Sequence, residues 1–272
     1  MIMKCSIKLW ERSDIMATQG TTGASTRQEI TIGRHFEGPT DLTLGGYISG
    51  ILAVHLDSDT VEVTMRKPTF MERPLILDTG TANRAFLYDG DTLLNEARPA
   101  ELDFEIPEPI TLEQARKASR RDTVAAFPNC FGCGSARSED DGLHLRSGPV
   151  EGRNMVAVDW TPRAAAVGAN EGEPVPETMV LTAMECPIAK AMELEGMRKP
   201  GEVAVLGRMT TKVKALPKVG EQCFFMGWPV ERAGRRIEMA GTLNNAKGDV
   251  LVMCRLTFVV LREGVSLVSE KA

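Results

Sequence analysis

The chain has 272 residues with a formal net charge of −5, and 43% of its residues are hydrophobic. This length allows one large domain or two of ordinary size. The acidic balance argues against a nucleic-acid partner, because no excess of basic residues exists to neutralise phosphates.

The N-terminal segment lacks the features of a secretory signal, since residues 1–10 include Lys4 and Lys8 and no sustained apolar core. No apolar run in the sequence approaches the ~20 residues that a membrane helix requires. The cysteines are few for this length, and they are Cys5, Cys130, Cys133, Cys186, Cys223 and Cys254. We therefore expect a cytoplasmic protein with reduced thiols and no membrane partner.

Periodicity begins only after a polar N-terminal stretch. A short strand is predicted over residues 29–32, and an apolar helix follows that opens with Gly45-Gly46. Four further strands are predicted over residues 61–65, 75–77, 85–88 and 93–97. Prolines at 107–109 then break the sheet pattern. Residues 111–118 predict a linker helix, with Thr111 as its cap and Gln114 three residues later.

The second half repeats this order. A strand is predicted over residues 155–160 and a helix over residues 177–195. Strands are then predicted over residues 203–215, 223–228, 237–243 and 250–261. Each half is thus a strand, a helix and several antiparallel strands, which indicates an internal repeat. A single long helix buries its apolar face when a curved sheet wraps around it.

Two motifs connect this pattern to a known family. The motif Cys130-Phe131-Gly132-Cys133-Gly134, followed by Gly142-Leu143-His144-Leu145, resembles the entry motif of hotdog thioesterases of the phenylacetyl-CoA type. Residues 207–210 and 217–221 resemble their long strand and the turn after it. The resemblance covers roughly residues 28–262 and is better in the second half.

The resemblance implies an α+β double hotdog fold. Two antiparallel sheets would each wrap a central helix and join as one pseudo-dimeric continuous sheet. The expected division begins with an N-terminal extension at 1–27, which we expect to be flexible, and an N-terminal hotdog at 28–107. A linker at 108–128, a C-terminal hotdog at 129–263 and a tail at 264–272 complete the chain.

In thioesterases of that type a His-Gly-Gly opens the helix, and an acid lies seven residues after the second glycine. The first half matches at Gly45-Gly46, but Ala53 stands at the acid position. In the second half Thr178 stands where the second glycine would be, and Glu185 stands at the acid position. The resemblance therefore implies that each half supplies one part of a single site.

Helix geometry gives the physical reason for a shared site. Seven residues span nearly two turns, so an acid lies about 10 Å along the axis from its own helix start. An acid on a neighbouring helix that runs the other way is able to reach that start. We expect the Gly46 and Tyr47 amides to hold a thioester oxygen, with Glu185 as general base or nucleophile. Burial in an apolar helix should raise the pKa of Glu185.

The expected substrate is a thioester of coenzyme A or of an acyl carrier protein, with no cofactor apart from the coenzyme A that belongs to the substrate. Gly45 would let the ligand approach the backbone closely. A tunnel between the helices would be lined by Ile48, Leu52, Met184 and Ile188. Lys212 and Lys214 would meet the phosphates of coenzyme A, although a solvent-exposed strand face gives the same pattern. Double hotdogs would also be able to pair into a homo-oligomer.

Two alternatives come from other classes of function. His35, in His35-Phe36, partly resembles the motif of hotdog dehydratases, and with Glu185 it would add or remove water at an enoyl thioester. The chain would otherwise be an idle module that binds acyl-CoA without turnover. Glu185 itself would then be a structural carboxylate, and Pro187 would be able to bend the helix and turn Glu185 away.

The two cysteines of the entry motif, Cys130 and Cys133, have metal-ligand spacing, and His144 follows them. A structural zinc site needs four ligands, however, and the sequence has no second pair to complete it. Cys186 would join only through the tertiary fold. We therefore expect no metal, and a tight turn with small buried thiols instead.

Overall fold

The structure, a computed structural model, describes residues 26–121, 123–194 and 196–262. The expected N-terminal extension lies almost wholly outside these residues, as do the tail at 264–272 and Cys5. Within the described ranges, no helix is long and apolar enough to cross a membrane.

The strands of the first half are β1 to β5, and they lie close to their predicted positions. Their bounds are Arg27–Thr31, Thr60–Met65, Pro74–Asp78, Ala85–Asp89 and Thr92–Pro99. The strands of the second half are β6 to β11. Their bounds are Gly148–Pro149, Val156–Trp160, Ala204–Val213, Cys223–Ala233, Arg236–Asn245 and Val250–Val260. The two-residue β6 was not predicted, because two residues carry no period.

All these strands form one antiparallel sheet in the order β1-β3-β4-β5-β2-β8-β11-β10-β9-β7-β6. Apart from the short β6 at the edge, the two halves have the same internal order, with the second long strand of each half at the centre. There β2 pairs with β8, and Val63 lies opposite Met209. The sheet is therefore continuous through a hydrogen-bonded central pair.

The helices are α1 (Gly45–Ala53), α2 (Leu112–Ala118), α3 (Ala164–Val167) and α4 (Glu177–Ala189). The linker helix α2 has the predicted capping box between Thr111 and Gln114. Helix α4 continues through Pro187 but ends at Ala189, where a 3-10 turn over Lys190–Glu193 takes its place. The predicted end at 195 was too late, because a 3-10 turn, whose hydrogen bonds differ from those of an α-helix, follows Ala189.

Helices α1 and α4 pack backbone to backbone, and two glycines of α1 make this contact possible. A Cβ on Gly50 would lie 2.5 Å from the Thr178 carbonyl oxygen, and one on Gly46 would lie 2.8 Å from the Thr182 carbonyl oxygen. Gly46, early in α1, thus meets the later residue of α4, while Gly50 meets the earlier one. The two helices therefore run antiparallel.

The opposite side of α4 rests on the sheet of the second half. A Cβ on Gly241 would lie 2.4 Å from Ile188 Cγ1, and one on Gly227 would lie 2.9 Å from the Ile188 Cα. The strands β9 and β10 therefore present their glycines to Ile188, which is 0% exposed. The helix pair is thus held in place from the sheet side.

We expect Gly50→Ala to destabilise the protein by about 1–3 kcal/mol, because the added methyl group would meet the Thr178 backbone rather than a mobile side chain. The higher helix propensity of alanine recovers at most about 1 kcal/mol. Chemical denaturation would measure the free energy of unfolding.

Ser49→Ala is the matched control, since it changes a buried neighbour on the same helix without adding an atom. It should leave stability unchanged or raise it. Equal stability of the Gly50 variant and the wild type would contradict the close helix contact.

Candidate active site

The carboxylate of Glu185 lies at the N-terminus of α1. The Gly46 amide donates a hydrogen bond to Glu185 Oε2 at 2.5 Å, and the Gly45 amide also donates to this carboxylate. A Cβ on Gly45 would lie 3.2 Å from the same oxygen. The contact joins an acid of the second half to backbone donors of the first half, 139 residues apart in sequence.

These amides are available because they open a helix. The first N–H groups of a helix have no hydrogen-bond acceptor within it. The side chain of the cap residue, Leu44, does not supply an acceptor either. The Tyr47 amide differs, because it donates to the Leu44 carbonyl at 3.0 Å. The amides that contact Glu185 are therefore those of Gly45 and Gly46. The role of the Gly46 and Tyr47 amides as donors to a thioester oxygen stays a prediction.

Two opposing effects set the acidity of Glu185, which is only 8% exposed. Burial disfavours the carboxylate, while the Gly46 and Gly45 amides favour it, and the net result raises the pKa of Glu185 to about 7. Negative charge on the nearby Cys130 sulfur contributes to this raised pKa. The group is thus able to change protonation state near neutral pH.

Three cysteine thiols lie beside this carboxylate. The Sγ atoms of Cys130, Cys133 and Cys186 all lie within 4.8 Å of one another. The sequence placed only the first two together, because Cys186 comes from α4 and joins them through the fold. Cys186 directly follows Glu185, so its helix position was the signal that could have located it here.

His35 lies in a 3-10 turn over Arg34–Phe36. Its Nδ1 atom is 2.9 Å from Asp141 Oδ1, and its ring packs on Phe131 with centroids 4.7 Å apart. The structure therefore holds this histidine against the segment that carries the entry motif. Its role as an alternative catalytic group with Glu185 stays a prediction.

The residues expected to line a tunnel are closely packed. Ile48 is 1% exposed, and Leu52, Met184 and Ile188 are 0% exposed. All four belong to the main hydrophobic core. An acyl chain that entered along the helices would therefore have to move some of these side chains apart. Their substrate-binding role stays a prediction.

Lys212 in β8 and Lys214, just beyond its end, both lie apart from Glu185. Alternation along β8 places Lys212 on the same face as Thr210 and Arg208, whereas the buried Met209 faces the helices. Thr210 and Arg208 line a polar cavity of about 240 Å³ on that outer face. Lys214 is exposed beyond the strand end. Contact of Lys212 and Lys214 with coenzyme A stays a prediction.

Comparison with solved structures identifies the fold. No protein-family model matches the chain, and no curated protein matches it. The tesB protein of Mycobacterium avium subspecies paratuberculosis superposes with a TM-score of 0.61 at 14% identity, covering 91% of this chain and 96% of that one.

Two further structures agree over nearly the full length. A hot dog fold protein of unknown function from Alicyclobacillus acidocaldarius has a TM-score of 0.58 at 10% identity, with 89% and 95% covered. The acyl-CoA thioesterase II TesB2 of Mycobacterium marinum has a TM-score of 0.56 at 8% identity, with 91% and 96% covered. The expected hotdog-type fold is confirmed.

The raised pKa of Glu185 predicts a pH-dependent stability. The rise from 4.5 in the unfolded chain to about 7 is worth about 3 kcal/mol. Because folding favours the protonated acid, this contribution is fully present below pH 4.5 and is lost as the pH rises through 7. Urea denaturation at several pH values should show the wild type losing about 2.5 kcal/mol relative to Glu185→Gln between pH 5 and 8. A difference between the two proteins that does not change with pH would contradict the assigned pKa.

Proposed function

We propose that the chain hydrolyses acyl thioesters, with acyl-CoA as the substrate class, at one site shared by two hotdog units. The observation that carries this proposal is the hydrogen bond between the Gly46 amide and Glu185 Oε2. It combines a carboxyl group of raised pKa with backbone donors at a helix N-terminus, which are the two parts that thioester hydrolysis needs.

In the proposed complex the Gly45 and Gly46 amides would donate hydrogen bonds to the substrate instead of to the Glu185 carboxylate. Free N–H groups at a helix start bind anions and developing negative charge well. When a thioester oxygen takes the Gly45 and Gly46 amides, Glu185 loses the hydrogen bonds that lower its pKa. Substrate binding would therefore make Glu185 a stronger base at the moment when a base is required.

In the proposed reaction Glu185 removes a proton from water, and the resulting hydroxide adds to the thioester carbonyl. The negative charge that develops on the carbonyl oxygen is held by the Gly45 and Gly46 amides, and such donors are typically worth about 2.7–4 kcal/mol each. The intermediate then expels the thiolate, which receives the proton from Glu185. The products are a carboxylic acid and the free thiol, and Glu185 returns to its starting state.

The proposed division of the chain gives each half one role. The first half supplies amide donors from α1 and lacks an acid at Ala53, while the second half supplies Glu185 from α4. The matching strand order of the halves supports their interpretation as two hotdog units paired through β2 and β8. The names of two similar structures, a tesB protein and an acyl-CoA thioesterase II, support coenzyme A thioesters as the substrate class.

Turnover of a panel of acyl-CoA thioesters would test the proposal, with free coenzyme A measured by chromatography so that protein thiols do not interfere. Glu185→Gln should lower kcat by at least about 10²-fold, because the amide cannot accept a proton from water. The glutamine oxygen still accepts from the Gly46 amide, so the fold should persist.

Glu177→Gln is the matched control, because it removes a half-buried carboxylate from the first turn of the same helix. It should retain turnover. His35→Ala should also hydrolyse acyl-CoA. Hydration of enoyl-CoA that depends on His35 would favour the dehydratase instead, and binding without turnover would favour an idle module. Either outcome would overturn the hydrolase.

A further inference from the structure

The three thiols beside Glu185 form a cluster built from two distant segments. Cys130 and Cys133 come from the entry motif, and Cys186 comes from α4, 56 residues after Cys130. The Cys130 and Cys186 sulfurs are 3.7 Å apart, and all three sulfurs lie within 4.8 Å of one another. Among the histidine, cysteine, aspartate and glutamate residues in the described parts of the chain, this is the group whose ligand atoms converge as a metal site requires.

The distances fit a metal ion at the centre of the cluster. Zinc binds thiolates at about 2.3 Å in a tetrahedral arrangement, which places two sulfurs about 3.8 Å apart. The observed 3.7 Å between Cys130 and Cys186 meets this value. It is far longer than the ~2.05 Å of a disulfide bond, and all three residues are free cysteines.

The backbone is shaped to bring the sulfurs together. The Gly134 amide donates to the Cys130 carbonyl at 2.7 Å, which closes a tight turn around the first two cysteines. A Cβ on Gly132 would lie 2.5 Å from the Cys186 sulfur. Cys186 therefore occupies the space that any side chain at position 132 would fill, so the turn and α4 are matched at this point.

The cluster also gathers several groups that are able to become anions. They are the three thiols and the carboxyl group of Glu185, which directly precedes Cys186 in α4. A divalent ion would stabilise such groups together.

We propose that Cys130, Cys133 and Cys186 bind a thiophilic d10 metal ion, with zinc as its natural representative. Binding releases the thiol protons and leaves three sulfur ligands on the ion. Among the described residues, no other histidine, cysteine or acid joins this group. The fourth position of a tetrahedral zinc ion is therefore left for a water molecule or another small ligand.

The bound ion would fasten the entry motif to α4. This motif already bridges to the first half, because the Phe131 amide donates to the Glu37 carbonyl at 2.7 Å. The Phe131 ring also packs on Phe36, with centroids 5.3 Å apart. Metal binding would thus fix the segment beside Glu185 and α1. The fold does bring the Cys186 sulfur to the motif, which is the condition under which Cys186 was expected to join it.

The test measures zinc in the full chain, prepared without a histidine tag or chelator from cells supplied with zinc. Elemental analysis should find about one zinc ion per chain. Replacement by cobalt should give thiolate-to-cobalt charge-transfer absorption. Cys130→Ser, Cys133→Ser and Cys186→Ser should each lower the bound metal at least about tenfold. Cys223→Ala, a buried thiol outside the cluster, is the matched control and should retain the metal.

Hydrogen exchange supplies a second readout, independent of any turnover. Removal of the metal should speed amide exchange at residues 130–134 in the wild type and leave it unchanged in Cys186→Ser. A reduced wild-type protein that binds neither zinc nor cobalt would overturn the proposal. Full metal content in all three serine variants, or a Cys130–Cys186 disulfide in protein alkylated at cell lysis, would overturn it equally. None of these results depends on whether the chain hydrolyses thioesters.

Discussion

The close antiparallel contact of α1 with α4 determines the arrangement of the candidate site. Because Gly46 and Gly50 have no side chains, the α1 backbone rests directly on the carbonyl groups of Thr182 and Thr178. This contact fixes both the direction and the axial register of the two helices. The next turn of α4 then brings Glu185 to the start of α1. A larger residue at either glycine would separate the carboxylate from its donors.

The site combines a stabilising interaction with a destabilising one. Glu185 satisfies backbone donors that a helix start otherwise leaves open, and the helix dipole favours its negative charge. Burial opposes the same charge strongly enough to raise the pKa to about 7. A carboxylate held only for capping would be better placed at the surface, where it would lose less hydration. The cost of burial is thus consistent with a chemical role.

The order of the helices and strands was predictable because each element carries a strong local signal. The alternation of Val61, Val63 and Met65, the glycine pair at the start of α1 and the Thr111 capping box all depend on neighbouring residues alone. The pairing of Glu185 with α1 was also predictable, since helix geometry limits which acid is able to reach a helix start. The continuous sheet required only that the two central strands pair.

Other features depend on the tertiary fold and left no local signal. The use of the Tyr47 amide by the Leu44 carbonyl follows from the detailed geometry of the first turn. The arrival of Cys186 beside the entry motif requires the register of α4 against a loop 56 residues earlier. Such contacts join residues whose spacing in sequence carries no period.

The most direct test of the account is a crystal structure with an acyl-CoA analogue in which a methylene group replaces the thioester sulfur. The account predicts that the ketone oxygen lies about 2.7–3.1 Å from the Gly45 and Gly46 amides, with the Glu185 carboxylate moved off these donors and facing the carbonyl carbon. An analogue bound elsewhere, with the hydrogen bond from Gly46 to Glu185 intact, would contradict it.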